Sequence, residues 1–163
     1  MRIGLGSDTH KLVQGKLLKI GGISIDSPTG ADAHSDGDVL IHALIDALLG
    51  AAAAGDIGEI FPAGDPEWKD ANSMDLLRIV IEKIRIAGFS LGNIDSIIYL
   101  EKPNLKPYKR AIQKNIADFL LMDIDHVSIK AKTAEGLGPV GLGESISAEV
   151  VVLLEKVEPE AWV

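Results

Sequence analysis

The stretch that decides the fold is residues 34–50, HSDGDVLIHALIDALLG. Its apolar residues recur at the spacing of an amphipathic helix, which we predict from about residue 36 to residue 53. Ser35 is predicted to cap this helix, with Asp38 as an acidic partner in the first turn. Asp38, His42 and Asp46 are each four residues apart, so they form a polar ridge along one side of the helix. Because a helix can fold without such a ridge, these residues are functional candidates.

Length and composition indicate one domain. The chain has 163 residues, enough to bury roughly 70% of its unfolded surface in a single core. We assign residues 1–157 to a single catalytic domain and residues 158–163 to a loose C-terminal tail.

Charge and residue types restrict the partners and the compartment. The net charge of −8 argues against general binding to nucleic acid or to anionic membranes. The chain has no cysteine, no signal-peptide pattern and no apolar stretch long enough to span a bilayer. We therefore expect a cytoplasmic protein, or a plastid protein if a transit peptide was removed.

The remaining patterns alternate between strands and helices. Strands are predicted at residues 2–8, 17–20, 23–25, 95–101, 126–133 and 146–154, and further helices at 73–87 (capped by Ser73) and 108–119. Residues 55–66 are predicted to be a long functional or mobile loop, and 26–33 and 135–144 to be shorter loops. The order β-β-β-α-α-β-α-β-β favours a sandwich-like α+β fold, a mixed sheet with helices packed on one face.

Two segments carry candidate metal ligands. Asp8 and His10 are two residues apart, so both side chains point to the same side of the first strand. With His42 they form a set of two imidazoles and one carboxylate, which zinc binds tetrahedrally with one position left for water or substrate. An alternative remains open: His42 is a partly buried histidine that hydrogen-bonds Asp38 or Asp46.

A glycine-rich segment suggests a second hypothesis, a dinucleotide-binding unit. Gly136, Gly138 and Gly141 have the spacing of a dinucleotide-binding fingerprint. A strand pattern follows instead of the helix that a Rossmann unit requires, so we exclude that unit. The segment is predicted to be either a hairpin connection or a backbone cradle for phosphate oxygens.

The helix motif and several shorter segments together resemble a known protein family. Residues 35–50, with Asp8 and His10, Gly55-Asp56-Ile57-Gly58 and Phe61-Pro62, resemble the 2-C-methyl-D-erythritol 2,4-cyclodiphosphate synthase family over about residues 2–156. The resemblance implies a homotrimer with active sites between subunits and an axial cavity that could take an isoprenoid diphosphate. It also implies a phosphorus–oxygen lyase of the non-mevalonate isoprenoid pathway. In that reaction 4-diphosphocytidyl-2-C-methyl-D-erythritol 2-phosphate cyclises to 2-C-methyl-D-erythritol 2,4-cyclodiphosphate and releases CMP.

The resemblance also implies roles for single residues. Asp8, His10 and His42 would hold zinc, and Glu135 would hold magnesium or manganese on the substrate diphosphate. His34 and Thr133 would stabilise the transition state, and Asp46 would orient the zinc site. The implied substrate contacts are Asp8, His10, His34, Ser35, Asp46, Asp56, Ile57, Gly58, Phe61, Asp65, Leu100, Asn104, Leu105, Lys106, Ala131, Lys132, Thr133 and Glu135.

Departures from the family pattern concern the loops. Ala63 stands where Asp is usual, Asn104 where Lys is common, and Pro139 and Leu142 where an aromatic residue and an arginine are frequent. We expect these positions to affect substrate affinity and the loop contacts, and to leave the zinc ligands intact.

Two other functions compete with the cyclising enzyme. One is a zinc-dependent phosphohydrolase that releases inorganic phosphate, and the other is a non-catalytic trimer that binds an isoprenoid diphosphate. The presence of Thr133 and Glu135 together with the zinc ligands favours the enzyme.

Overall fold

The structure of the protein is a computed structural model that describes residues 1–157. The strands are β1 (Arg2–Gln14), β2 (Leu18–Ile20), β3 (Ile23–Ile25), β4 (Thr29–Asp32), β5 (Phe89–Tyr99), β6 (Val127–Lys132) and β7 (Ser145–Lys156). The α-helices are α1 (Val39–Ala52), α2 (Ile57–Ile60), α3 (Ser73–Ile86), α4 (Lys109–Leu120) and α5 (Gly138–Gly141), with 3-10 turns at Pro66–Trp68 and Ile124–His126. The predicted tail, residues 158–163, lies outside the described residues.

Five strands form one mixed sheet in the order β4-β1-β7-β5-β6. Only β5 and β6 run parallel among these neighbours, while the other pairs are antiparallel. The hairpin β2–β3 forms a separate two-stranded sheet. The predicted α+β fold with a mixed sheet is therefore confirmed.

The helices cover one face of this sheet. Val152 and Ile94 are paired across β7 and β5, lie on that face and are buried, as is Val127 opposite Ile94 on β6. The opposite face carries Ile3 and Leu5 of β1, which are 73% and 69% exposed. Gly4 and Gly6 bring β1 against α1, because a Cβ on either would lie within 2.1 Å of a helix carbonyl oxygen.

The start of α1 differs from the prediction. Asp38, and not Ser35, is the N-cap, since its Oδ1 accepts a hydrogen bond from Ile41 N at 3.2 Å. The same buried carboxylate accepts hydrogen bonds from Gly21 N and Gly22 N of the β2–β3 turn. Three backbone donors thus fix Asp38 at the cap, and the helix begins at Val39. Helix α3 similarly begins at the predicted Ser73 but is capped by Asn72.

Other boundaries also differ. Strand β1 continues to Gln14 because residues 11–14 pair with β4, which lies in the segment predicted to be a loop. Strand β5 begins at Phe89, six residues before the predicted start, since its first half pairs with β7. The predicted loops at 55–66 and 135–144 contain the one-turn helices α2 and α5. No helix within residues 1–157 is long and apolar enough to cross a membrane.

Candidate metal and substrate site

Strand β1 and helix α1 bring the three predicted ligands together. Asp8 Oδ2 lies 3.0 Å from His10 Nε2 and 3.0 Å from His42 Nδ1, and the two ring nitrogens are 3.1 Å apart. A tetrahedral ion with bonds of about 2.0–2.1 Å separates its ligands by roughly 3.3 Å. The triangle therefore fits a zinc ion with little rearrangement.

The charge state of Asp8 suits a metal ligand. Burial opposes ionisation, but hydrogen bonds from the His10 and His42 rings outweigh burial and lower the pKa of the Asp8 carboxyl below its ordinary value. Asp8 is thus a carboxylate at neutral pH, with Oδ2 between two imidazoles. The group is partly buried, so an ion bound here would be only partly screened by water.

The contacts of His42 differ from those named in the alternative left open by the sequence. His42 Nε2 lies 2.9 Å from Ser73 Oγ and 3.1 Å from Ser35 Oγ, while Nδ1 faces Asp8 and His10. The partners named in that alternative are wrong, because Asp38 accepts hydrogen bonds from Ile41 N at the helix cap and Asp46 accepts one from Ile57 N.

Asp46 has a different partner from the one expected. Its Oδ1 accepts a hydrogen bond from Ile57 N at 2.8 Å, which ties the start of α2 to α1. Burial raises the pKa of the Asp46 carboxyl, and the nearby Asp56 and Asp8 charges raise it further. The expectation that Asp46 directly orients a ligand histidine is not supported by its contact; Asp46 positions the turn that borders the site.

A cavity of about 310 Å³ opens beside the ligand triangle. It brings together five residues predicted from the sequence to bind substrate besides the ligands His10 and His42, and several that were not. The lining residues are His10, Asp32, Ala33, His34, Ser35, His42, Ile57, Gly58, Phe61, Ala63, Trp68 and Leu76. Trp68 was missed, although its ring packs edge-on against Phe61 with centroids 5.0 Å apart.

Two further predicted contacts, Asp56 and Asp65, are close in sequence to residues that line this cavity. Asp56 caps α2 by accepting a hydrogen bond from Glu59 N at 3.0 Å. Asp65 caps the turn at 66–68 by accepting one from Glu67 N at 3.0 Å. Both carboxylates are exposed and are used as caps, a role the sequence analysis did not give them.

The other predicted contacts form a second group around the ends of β5 and β6. Leu100 N donates to Lys132 O at 3.0 Å, next to Ala131, and Ala134 N donates to Glu101 Oε2 at 3.1 Å. Thr133 Oγ1 donates to Glu135 Oε1 at 2.9 Å. Lys106 N donates to Asn104 Oδ1 at 2.8 Å, and Leu105 between them is buried. This second group does not line the cavity beside the ligand triangle.

The glycine-rich segment agrees with the rejection of a dinucleotide-binding unit. The one-turn helix α5 leads into β7, which runs antiparallel to both neighbours. Pro139 lies inside α5 and the exposed Leu142 caps it, so neither offers a side-chain cation for phosphate.

The fold and the site together define a class of protein: an α+β chain whose Asp/His/His group adjoins a substrate-sized cavity. Comparison with known proteins narrows this class. The model of the YgbB family matches residues 1–155, and the chain belongs to this family.

Individual relatives and solved structures are similar to this chain over most of its length. A Treponema denticola protein named 2-C-methyl-D-erythritol 2,4-cyclodiphosphate synthase is 51% identical over 148 residues, which are 91% of this chain and 92% of the relative. A solved structure of a synthase of that name, in a CDP-bound form, is 38% identical with a TM-score of 0.88 and covers 94% of this chain and 100% of its own. The bifunctional IspDF protein from Campylobacter jejuni is 43% identical with a TM-score of 0.92 over 96% of this chain, which spans 42% of that longer protein.

Proposed function

We propose that this chain is a 2-C-methyl-D-erythritol 2,4-cyclodiphosphate synthase. It converts 4-diphosphocytidyl-2-C-methyl-D-erythritol 2-phosphate to the cyclic diphosphate and CMP. The observation that carries this proposal is the Asp8–His10–His42 triangle at the cavity, in a chain of the YgbB family. Relatives with this name match over most of the chain at about half identity.

The donor set supports zinc at the triangle. Two imidazole nitrogens and one carboxylate oxygen are ligands that zinc prefers, and three protein ligands leave a position open. A zinc ion bound there would supply positive charge to phosphate oxygens and hold them in place. Asp8, His10 and His42 would hold the ion, while His34 and Ser35 at the cavity wall would contact the phosphate that the ion orients.

His34 has the freedom that this role requires. Its backbone carbonyl accepts a hydrogen bond from Asp70 N at 2.7 Å, which anchors the loop before α1. Its side chain is exposed at the cavity, so it can donate a hydrogen bond to phosphate oxygens. The methylerythritol part would lie against Ile57, Gly58 and Phe61, where the cavity wall is apolar or open backbone.

Glu135 would anchor a second divalent cation, magnesium or manganese, on the substrate diphosphate. Its carboxylate is exposed and accepts a hydrogen bond from Thr133 Oγ1, which orients one oxygen. Carboxylate oxygens with substrate phosphates are the ligands such ions use. A protein of net charge −8 needs cations to hold a substrate with three phosphate groups.

A homotrimer with shared active sites explains two observations. Among residues 1–157, the sheet face away from the helices exposes Ile3, Leu5 and Val151, and because Leu5 pairs with Val151 these side chains form an apolar patch. The second group of predicted contacts, around Thr133, lies apart from the cavity in one chain. A neighbouring subunit would cover the sheet face and bring its second group to this chain's cavity. An axial cavity of such a trimer would take an isoprenoid diphosphate.

Product analysis tests the activity. The protein is incubated with the cytidyl substrate, zinc and magnesium, and phosphorus-31 NMR follows the products. CMP with a cyclic diphosphate in equal amounts supports the proposal. Inorganic phosphate instead would establish the phosphohydrolase, and no turnover with tight isoprenoid diphosphate binding would establish the binding protein.

Subunit mixing tests the shared site. His42→Ala and Glu135→Ala chains are each expected to be inactive, and their mixture to recover partial activity because some sites receive both intact groups. A monomer by light scattering, or a mixture as inactive as its components, would contradict the shared site.

The cytoplasmic location stays a prediction.

A further inference from the structure

The two ring nitrogens of His42 face different groups. Nδ1 lies 3.0 Å from Asp8 Oδ2 and belongs to the metal-ligand triangle. Nε2 lies 2.9 Å from the Oγ atom of Ser73. Ser73 is the first residue of α3 and is fully buried. A ligand histidine needs its coordinating nitrogen unprotonated, so whatever fixes the proton on Nε2 prepares Nδ1 for metal.

The direction of the hydrogen bonds follows from Asp36. Ser73 Oγ donates to Asp36 Oδ1, and a hydroxyl has one hydrogen. Its oxygen is therefore left as an acceptor, and His42 Nε2 must be the donor in their contact. This contact holds a proton on Nε2, so the proton that Nδ1 donates to Asp8 Oδ2 is the one that a metal ion in the triangle would replace.

Asp36 is itself held in place. Its Oδ2 lies 3.3 Å from Lys19 Nζ, and its backbone N donates to Ala71 O at 3.1 Å. The second contact joins the loop before α1 to the loop before α3. The carboxylate, the hydroxyl and the imidazole thus form one chain of hydrogen bonds that ends at the metal triangle.

The Ser73 hydroxyl is not needed to cap its helix. Asn72 Oδ1 caps α3 by accepting a hydrogen bond from Met74 N at 2.9 Å. Ser73 Oγ instead contacts Asp36 and His42. Ser35 Oγ, also near Nε2 at 3.1 Å, accepts a hydrogen bond from Gly37 N and borders the cavity, where it is free to contact a ligand.

We infer that Ser73 and Asp36 are positioning residues, which fix the tautomer and the aim of His42 at the metal site. The inference rests on the metal site proposed above. Groups that hold a ligand histidine in this way contribute about 10–100-fold to metal affinity or activity. The Asp36 carboxylate reaches His42 through the Ser73 hydroxyl and not by a direct contact.

Zinc affinity of the purified protein, measured by competition with a chromophoric chelator, tests the inference without turnover. Ser73→Ala is expected to bind zinc about 10–100-fold more weakly than the parent, because His42 Nε2–H loses the nearer acceptor, the one that Asp36 orients. Asn72→Ala is the matched control: it removes the cap of the same helix and should lower the melting temperature while leaving zinc affinity within twofold.

A proton signal provides a second readout. In the zinc-loaded parent, nitrogen-15 NMR should detect a slowly exchanging proton on His42 Nε2, and in Ser73→Ala this signal should be lost to exchange with water. Equal zinc affinity in Ser73→Ala and the parent would overturn the inference. So would an equal loss in Asn72→Ala, or a loss in Ser35→Ala but not in Ser73→Ala. A parent that binds no zinc would overturn the metal site as well.

Discussion

Substituting Gly6 with alanine tests how closely strand β1 must approach helix α1. A Cβ at Gly6 falls 2.1 Å from Ala43 O and 2.5 Å from Ala47 N, whereas ordinary contact begins at 3.4 Å. The blocking atoms are helix backbone, so rotation of a side chain cannot relieve them. Strand and helix must therefore separate by roughly 1 Å, a form of overpacking.

The magnitude follows from that separation. Overpacking of this kind costs about 1–3 kcal/mol. For a chain of this length, we expect the melting temperature to fall by roughly 2–12 °C. The separation also moves Asp8 and His10 away from His42, whereas metal sites tolerate errors of only about 0.2 Å. Zinc affinity should then fall at least about tenfold.

Thermal unfolding and chelator competition on the purified variant measure both effects. Gly50→Ala is the matched control on the same helix, because among the described residues its Cβ would meet only Leu5 O, at 3.8 Å. Alanine there should keep or raise the melting temperature, since glycine costs up to about 1 kcal/mol in a helix. A Gly6→Ala protein with parental stability and zinc affinity would refute the close-approach argument.

Three further predictions concern the site. His42→Ala should lose its bound zinc while keeping its far-ultraviolet circular dichroism, because two ligands remain; parental zinc by metal analysis would remove His42 from the ligand set. Glu135→Gln should raise the magnesium concentration needed for half-maximal turnover and leave zinc content unchanged; a parent fully active with zinc alone would contradict a second cation. Asp46→Asn keeps an acceptor for Ile57 N–H but carries no charge. Because burial raises the folded-state pKa of Asp46, its stabilising contribution is present at acid pH and is lost as pH rises through that pKa. The melting temperature of Asp46→Asn relative to the parent should therefore increase between about pH 4 and about pH 7, and a constant difference would show that the charge is not desolvated.

The ligand triangle was predictable because it depends on local geometry. Asp8 and His10 share a face of a strand whose residues are two apart, and His42 lies on the ridge side of a strongly periodic helix. The core helices α3 and α4 were predictable for the same reason, to within one or two residues.

Features that depend on distant pairing were not predictable. Strand β4 has no apolar alternation, and Pro28 and Gly30 indicated a turn. It forms because Thr29–Asp32 pairs with the far end of β1. The cap of α1 was missed because Asp38 is selected by Gly21 N and Gly22 N, donors that lie 17 and 16 residues earlier in the chain. The Ser73–His42 contact spans 31 residues and joins two helices that the sequence presents as independent.

The polar ridge of α1 therefore has three separate tasks, one turn apart. Asp38 ties the helix start to the β2–β3 hairpin, His42 completes the metal triangle, and Asp46 holds the first residue of α2. Because these side chains lie on one rigid helix, the spacing between the metal triangle and the α2 turn is fixed by helix geometry, at about 1.5 Å of rise per residue. The cavity beside the triangle is lined by both His42 and Ile57, so the position of α1 affects two parts of its wall. A disturbance that tilts this helix is expected to change metal affinity and substrate affinity together, whereas a loop substitution such as Ala63→Asp should change substrate affinity alone.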